Sequence, residues 1–207
     1  MKRRSKSLMT VILAALMVVF GTYSCKSQDK KNADALQNTN NMKTLVVYYS
    51  LTGNTESIAK QIADKLGADI EKIDVVRPYE GSYQQIVDEA NNEVQREYQR
   101  PIKPLKHSLK DYDRIIVGTP TWWYKMSSPI LTFLSNNDFT GKTVVPFMTN
   151  AGWPGTVIED MSRLARKNGA KVEHAHEFKF NTQSDGTTNG MSTPQEELQL
   201  WIDSLSK

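Results

Sequence analysis

Val46-Val-Tyr-Tyr-Ser-Leu-Thr-Gly-Asn-Thr-Glu-Ser-Ile-Ala-Lys-Gln-Ile62 is the stretch that decides the fold. Its first part continues Thr44 and Leu45 in an unbroken apolar run, the pattern of a strand buried on both faces. Its last part begins a helix, with Ile58, Ala59, Ile62, Ala63 and Leu66 at helical spacing and Gly67 as its stop. Between them lies Ser50-Leu51-Thr52-Gly53-Asn54-Thr55, a small polar turn without Lys or Arg. Backbone N–H groups and the helix dipole at such a turn can hold a phosphate, and Gly53 lets the backbone come close. The same hydroxyls could instead only cap the helix. An ATP-type loop needs Gly-Lys-Ser/Thr, which is missing, and no Gly-x-Gly-x-x-Gly occurs anywhere in the chain.

Downstream, strand and helix patterns alternate. Strands are predicted at Ile70–Val76, Arg114–Gly118, Thr143–Thr149 and Val172–Phe180. A helix is predicted over Tyr83–Tyr98, another opens at Ser128-Pro129, and a third carries Val157, Ile158, Met161, Leu164 and Ala165 before Gly169. Thr193-Pro-Gln-Glu196 reads as a capping box before a last helix that buries Leu198, Trp201, Ile202 and Leu205. Five strands alternating with five helices predict an α/β fold, a doubly wound parallel sheet with helices on both faces. Ligands in such sheets sit outside the carboxyl ends of the strands, so the loops after strands one, three and four are the candidates.

The loop after strand three, Gly118-Thr119-Pro120-Thr121-Trp122-Trp123-Tyr124, holds three adjacent large aromatics that cannot all face a core. Indole and phenol faces suit a flat ring system, and by excluding water they make a reduced, charged ring harder to form. The loop after strand four, Thr149-Asn150-Ala151-Gly152-Trp153-Pro154-Gly155, offers small residues that let backbone reach a ring edge. Trp153 is either a second stacking group or a lid on the loop.

Val46–Ile62 resembles the flavodoxin signature along its whole length. The resemblance implies the flavodoxin strand order 2-1-3-4-5 and non-covalent FMN. It also implies that Ser50, Thr52, Asn54 and Thr55 hold the FMN phosphate, helped by the amides of Leu51 and Gly53. Pro120, Thr121, Trp122, Trp123, Tyr124, Thr149, Asn150 and Gly152 would then face the rest of the cofactor. Glu97, Arg100-Pro101 and the Gly-x-Pro-x-Trp-Trp run resemble one bacterial branch of flavodoxin-like proteins, which implies FMN more firmly than any partner. Well-studied flavodoxins are strongly acidic, and this domain is not.

Upstream, Lys2, Arg3, Arg4 and Lys6 precede an apolar run from Leu8 to Phe20, interrupted only by Thr10. That is short for a membrane span and suits a signal-peptide core. Gly21-Thr22-Tyr23-Ser24-Cys25 then resembles a bacterial lipoprotein processing site. It implies a signal over residues 1–24, lipidation of Cys25 and export to the outer side of the membrane. An ordinary secretory signal with an incidental cysteine is the alternative. Cys25 is the sole cysteine, so no internal disulfide can form. Residues 26–41 are polar, with one Leu and no aromatic, and read as a tether. Residues 42–207 are then one domain.

The chain carries +3, and removing the four signal cations leaves −1, so charge argues for neither nucleic acid nor a strongly basic partner. His174 and His176 would share one strand face but lack a third metal ligand. Glu56 suits the first helical turn, and His107 lies in a polar connector. Three functions remain open: an electron-transfer flavoprotein with an unknown redox partner, an FMN-dependent NAD(P)H or quinone reductase, and a non-redox binding lipoprotein.

Overall fold

A computed structural model describes residues 42–206 apart from Ser184. The expected signal core, Cys25 and the expected tether lie outside the described residues. The strands are β1 (Thr44–Tyr48), β2 (Asp69–Lys72), β3 (Arg114–Trp122), β4 (Lys125–Met126), β5 (Thr143–Asn150), β6 (Lys171–Val172), β7 (His176–Thr182) and β8 (Thr188–Met191). The helices are α1 (Asn54–Leu66), α2 (Tyr83–Gln95), α3 (Ser128–Asn136), α4 (Val157–Lys167) and α5 (Gln195–Ser204).

The main sheet runs β2-β1-β3-β5-β7-β8, parallel from β2 to β7. Counting β6 and β7 as the two halves of strand five, this is the expected order 2-1-3-4-5. Alternate residues of each central strand enter opposite layers. Leu45, Val47, Ile115, Val117 and Val144 pack with Phe133 and Phe139 on one face. Val46, Ile116, Val145, Phe147 and Phe178 pack under Ile58, Ile62, Leu198 and Ile202 on the other. Two covered faces explain why these strands read as continuous apolar runs.

Three local expectations need correction. The fifth strand is interrupted between β6 and β7, where His174 takes a left-handed φ of 49°. Strand β8 was not foreseen. It pairs antiparallel with β7, and Thr-Asn-Gly-Met carries no apolar alternation to announce it. The capping box at Thr193 does not form, because the Thr193 hydroxyl accepts the Lys179 N–H at 2.8 Å and α5 starts after Pro194 without a side-chain cap. A capping box does form at α2, where Ser82 and Gln85 satisfy each other's backbone N–H groups.

Candidate functional site

The turn between β1 and α1 is braced from within. Gly53 sits at φ 95°, a left-handed position open to glycine, and its N–H donates to Ser50 Oγ at 3.1 Å. That N–H is therefore engaged by the loop itself, while the Ser50 hydroxyl proton stays free to donate. Thr55, 1% exposed, opens α1 and pairs its hydroxyl with that of Thr149 at 2.8 Å. Two hydroxyls own two protons and their mutual bond uses one, so one donor remains for a ligand. Asn150, at the end of β5, accepts the Gly152 N–H through Oδ1 at 2.7 Å. Its Nδ2 is buried with no partner among the described residues. A buried amide donor without an acceptor costs free energy unless something fills the role.

Ser50, Leu51, Thr52, Asn54, Thr55, Pro120, Thr121, Trp122, Thr149 and Asn150 line one cavity of about 140 Å³, so the turn and the ends of β3 and β5 converge as the sequence predicted. Thr121 and Ala151 also line a neighbouring hollow of about 250 Å³ walled by Trp123, Tyr124 and Trp153. The two hollows adjoin at these residues and together make the groove, polar and uncharged on one side and aromatic on the other. Sequence reasoning missed two lining residues, Tyr83 at the start of α2 and Thr182 at the end of β7. Thr182 continues the alternation of Phe178 and Phe180, a signal that was available.

The three aromatics expected in one loop separate. Trp122 belongs to β3, and its ring packs edge-on against Tyr79 (5.2 Å between centroids) and Tyr49 (5.6 Å). Trp123 and Tyr124 form the two-residue turn from β3 to β4, with φ of 47° and 66°. Both are well exposed, as is Trp153, which meets Tyr124 edge-on at 6.5 Å. Gly155 holds the base of this wall, because a Cβ there would lie 2.1 Å from the Tyr124 carbonyl oxygen.

Behind Trp122 lies a buried ion cluster. The Arg100 guanidinium sits 3.5 Å from the Tyr79 ring centre and is 2% exposed. It pairs with Glu93 at 2.5 Å and Glu89 at 2.9 Å, and donates to the Arg77 and Pro78 carbonyls. Burial opposes its charge, but the two carboxylates outweigh that and hold it cationic. The Tyr79 phenol donates to Glu93 at 2.5 Å, and burial together with that carboxylate pushes its ionisation well above the ordinary tyrosine range. Arg100 therefore acts as a strut, and its partners are Glu89 and Glu93. The exposed Glu97, which the sequence grouped with it, does not pair with it.

The remaining candidates have structural explanations. Glu56 bonds Lys60 and Lys72 on the surface, and those bonds lower its pKa. His176 stacks on Trp201 and reaches Glu197, while the carbonyl of His174 accepts the Trp201 indole N–H at 2.7 Å. His107 closes onto Glu71, whose carboxylate also accepts the Lys106 and His107 N–H groups. No group of three metal-ligating residues occurs among the described residues.

A candidate flavoprotein of Bacteroides uniformis is 26% identical, covers 78% of this chain and 98% of its own, and superposes with a TM-score of 0.64. A flavoprotein of Lactobacillus acidophilus solved in complex with FMN shares 24% identity over 66% of this chain and 93% of its own, with a TM-score of 0.56. An NAD(P)H dehydrogenase (quinone) of Cupriavidus metallidurans is 33% identical over 92 residues, which is 44% of this chain. The chain spans about half that relative's length, 45%. The flavodoxin family model matches residues 43–204, the whole of the sheet and its helices, and the chain belongs to the flavodoxin family.

Proposed function

We propose that this protein binds one FMN non-covalently and passes electrons through it, held by a lipid on Cys25 at the outer side of a bacterial cytoplasmic membrane. The observation that carries the cofactor reading is the groove itself, with spare neutral donors at one end and an aromatic slot at the other. Ser50, Thr52, Asn54, Thr55 and the Leu51 amide hold the phosphate at the α1 N-terminus. No cation is needed, since the helix dipole and hydrogen bonds to the charged oxygens suffice. Asn150 Nδ2 donates a hydrogen bond to the cofactor beyond the phosphate. Trp123, Tyr124 and Trp153 flank the flavin ring, and Trp122 supports the wall from within β3. The bound flavin supplies one- or two-electron redox chemistry that the side chains lack.

Titrating apoprotein with FMN and with riboflavin tests this. FMN is expected to bind far more tightly and to lose its fluorescence against the aromatics. Equal affinity for both would defeat the phosphate assignment. Anchoring is tested separately. Cys25→Ser is expected to release the protein from membranes or stall signal removal, and unchanged size and fractionation would exclude lipidation.

A second reading, an FMN-dependent NAD(P)H or quinone reductase, draws on the dehydrogenase relative and on the exposure of the aromatic slot. Adding NAD(P)H and a quinone anaerobically to flavin-loaded protein separates the two. Rapid quinone reduction favours the enzyme, and slow turnover favours the electron carrier.

A further inference from the structure

A second hollow, of about 290 Å³, lies between the end of α2, α3 and α4, and none of its lining residues belongs to the flavin groove. Most of its lining is polar, and Val94, Met126, Leu131 and Leu164 make up the apolar part, its floor. Its rim is charged. Lys125 and Arg163 share the Asp160 carboxylate, each at 2.8 Å, while Lys167 has no ion-pair partner among the described residues. Glu97 is the other rim carboxylate. Three cations against two carboxylates leave one formal positive charge. Burial opposes ionisation of Asp160, but its bonds to Arg163, Lys125 and Thr156 prevail and hold its pKa at about 2, so this balance persists at neutral pH.

Ser128 supplies an independent observation. It lies in the first turn of α3, lines the hollow and is 1% exposed, and its Oγ has no hydrogen-bond partner among the described residues. A buried hydroxyl normally finds a partner, and in the first turn of a helix it stands where an anion is favoured.

We propose that this hollow binds a small organic monoanion, a carboxylate on an apolar body. The carboxylate takes the Ser128 hydroxyl and the surplus rim charge, and the body lies on Leu131, Leu164, Val94 and Met126. An inorganic anion would leave that floor unused. A neutral apolar molecule would leave Ser128 and the cations unanswered.

Calorimetric titration of the full chain with 1-naphthoate tests the proposal, with inorganic phosphate and neutral naphthalene-methanol as comparison probes. Saturable naphthoate binding is expected, weakened about 2- to 10-fold by Ser128→Ala, the value of one hydrogen bond. Arg163→Gln with Lys167→Gln is expected to weaken it about tenfold or more, the loss of a charge-assisted contact. Ser128→Ala should leave Tm unchanged or slightly raised, because its hydroxyl holds nothing in the empty protein. FMN affinity should be the same in all variants, so failure of the flavin reading would not touch this one. Absence of saturable naphthoate binding, equal binding of phosphate or of the alcohol, indifference to both variants, or displacement by FMN would each overturn the proposal.

Discussion

Two polar arrays meet on either side of Trp122, and they are built on opposite principles. On one side, Ser50, Thr55, Thr149 and Asn150 are neutral, buried and incompletely bonded. On the other, Arg100, Glu89, Glu93 and Tyr79 are mostly charged, and the guanidinium spends its donors on two carboxylates and two carbonyls. Saturation separates their roles. A saturated array can only hold structure, whereas buried donors with nothing to bond are kept for something that arrives. Charge alone would have misled, because the charged cluster is the more conspicuous of the two and leaves little bonding capacity for a ligand.

The largest expected effect comes from breaking the saturated side. Arg100→Met strands Glu93 in a buried site and is expected to cost about 3–5 kcal/mol in denaturant unfolding. Adding Glu89→Gln and Glu93→Gln should recover much of that loss, since the penalty lies in the unpaired carboxylates. A full loss persisting in the triple variant would mean that packing on Tyr79, rather than charge, carries the cluster.

On the unsaturated side the effect moves from folding to binding. Thr55→Val removes the hydroxyl at the start of α1 while keeping the shape, leaves the Thr149 proton without its partner, and should cost about 1–3 kcal/mol of FMN affinity. Unchanged affinity in a titration would remove Thr55 from the site.

At the open end of the groove the expected stability effect is smaller still. Trp153 is 66% exposed, so Trp153→Ala should change stability by less than about 0.5 kcal/mol. The same variant should relieve part of the flavin fluorescence quenching and raise the flavin's reduction potential by admitting water. Unaltered fluorescence and potential would leave the stacking role to Trp123 and Tyr124.

Acid sharpens the comparison on the charged rim. The Asp160 pKa is depressed in the folded protein to about 2, so its stabilisation is fully present above the ordinary aspartate value. It is lost as pH falls from about 4 toward that folded value. Asp160→Asn should flatten this part of the acid-unfolding profile, and an unchanged profile would show that the ion pairs with Lys125 and Arg163 contribute little.

The first strand, the turn after it and the helix that follows were legible because they are local, whereas the strand order came only with the resemblance to flavodoxins. An unbroken apolar run, a helical repeat and a polar turn sit side by side between Thr44 and Leu66. The strut was not legible, since Arg100 finds Glu89 and Glu93 only once the chain reverses after α2. An acidic pair one helical turn apart was visible, but its partner was not. The separation of Trp122 from Trp123 was also hidden. Strand β3 runs on beyond Gly118 through Thr-Pro-Thr, a stretch read as loop, and pairs there with a two-residue strand too short to recognise. Strand β8 escaped because its pairing rests on backbone bonds with little apolar burial.

The turn at Trp123-Tyr124 places two bulky residues at positive φ, where Asn-Gly would sit at ease. By ordinary criteria of foldability this is the wrong dipeptide. A programme of directed evolution for heat resistance alone would replace it early, and the survivors would be sturdier proteins with a bare groove. The strain is thus a tax levied on the empty protein. It marks the turn as a place where sequences optimised for stability and sequences kept for use should part company.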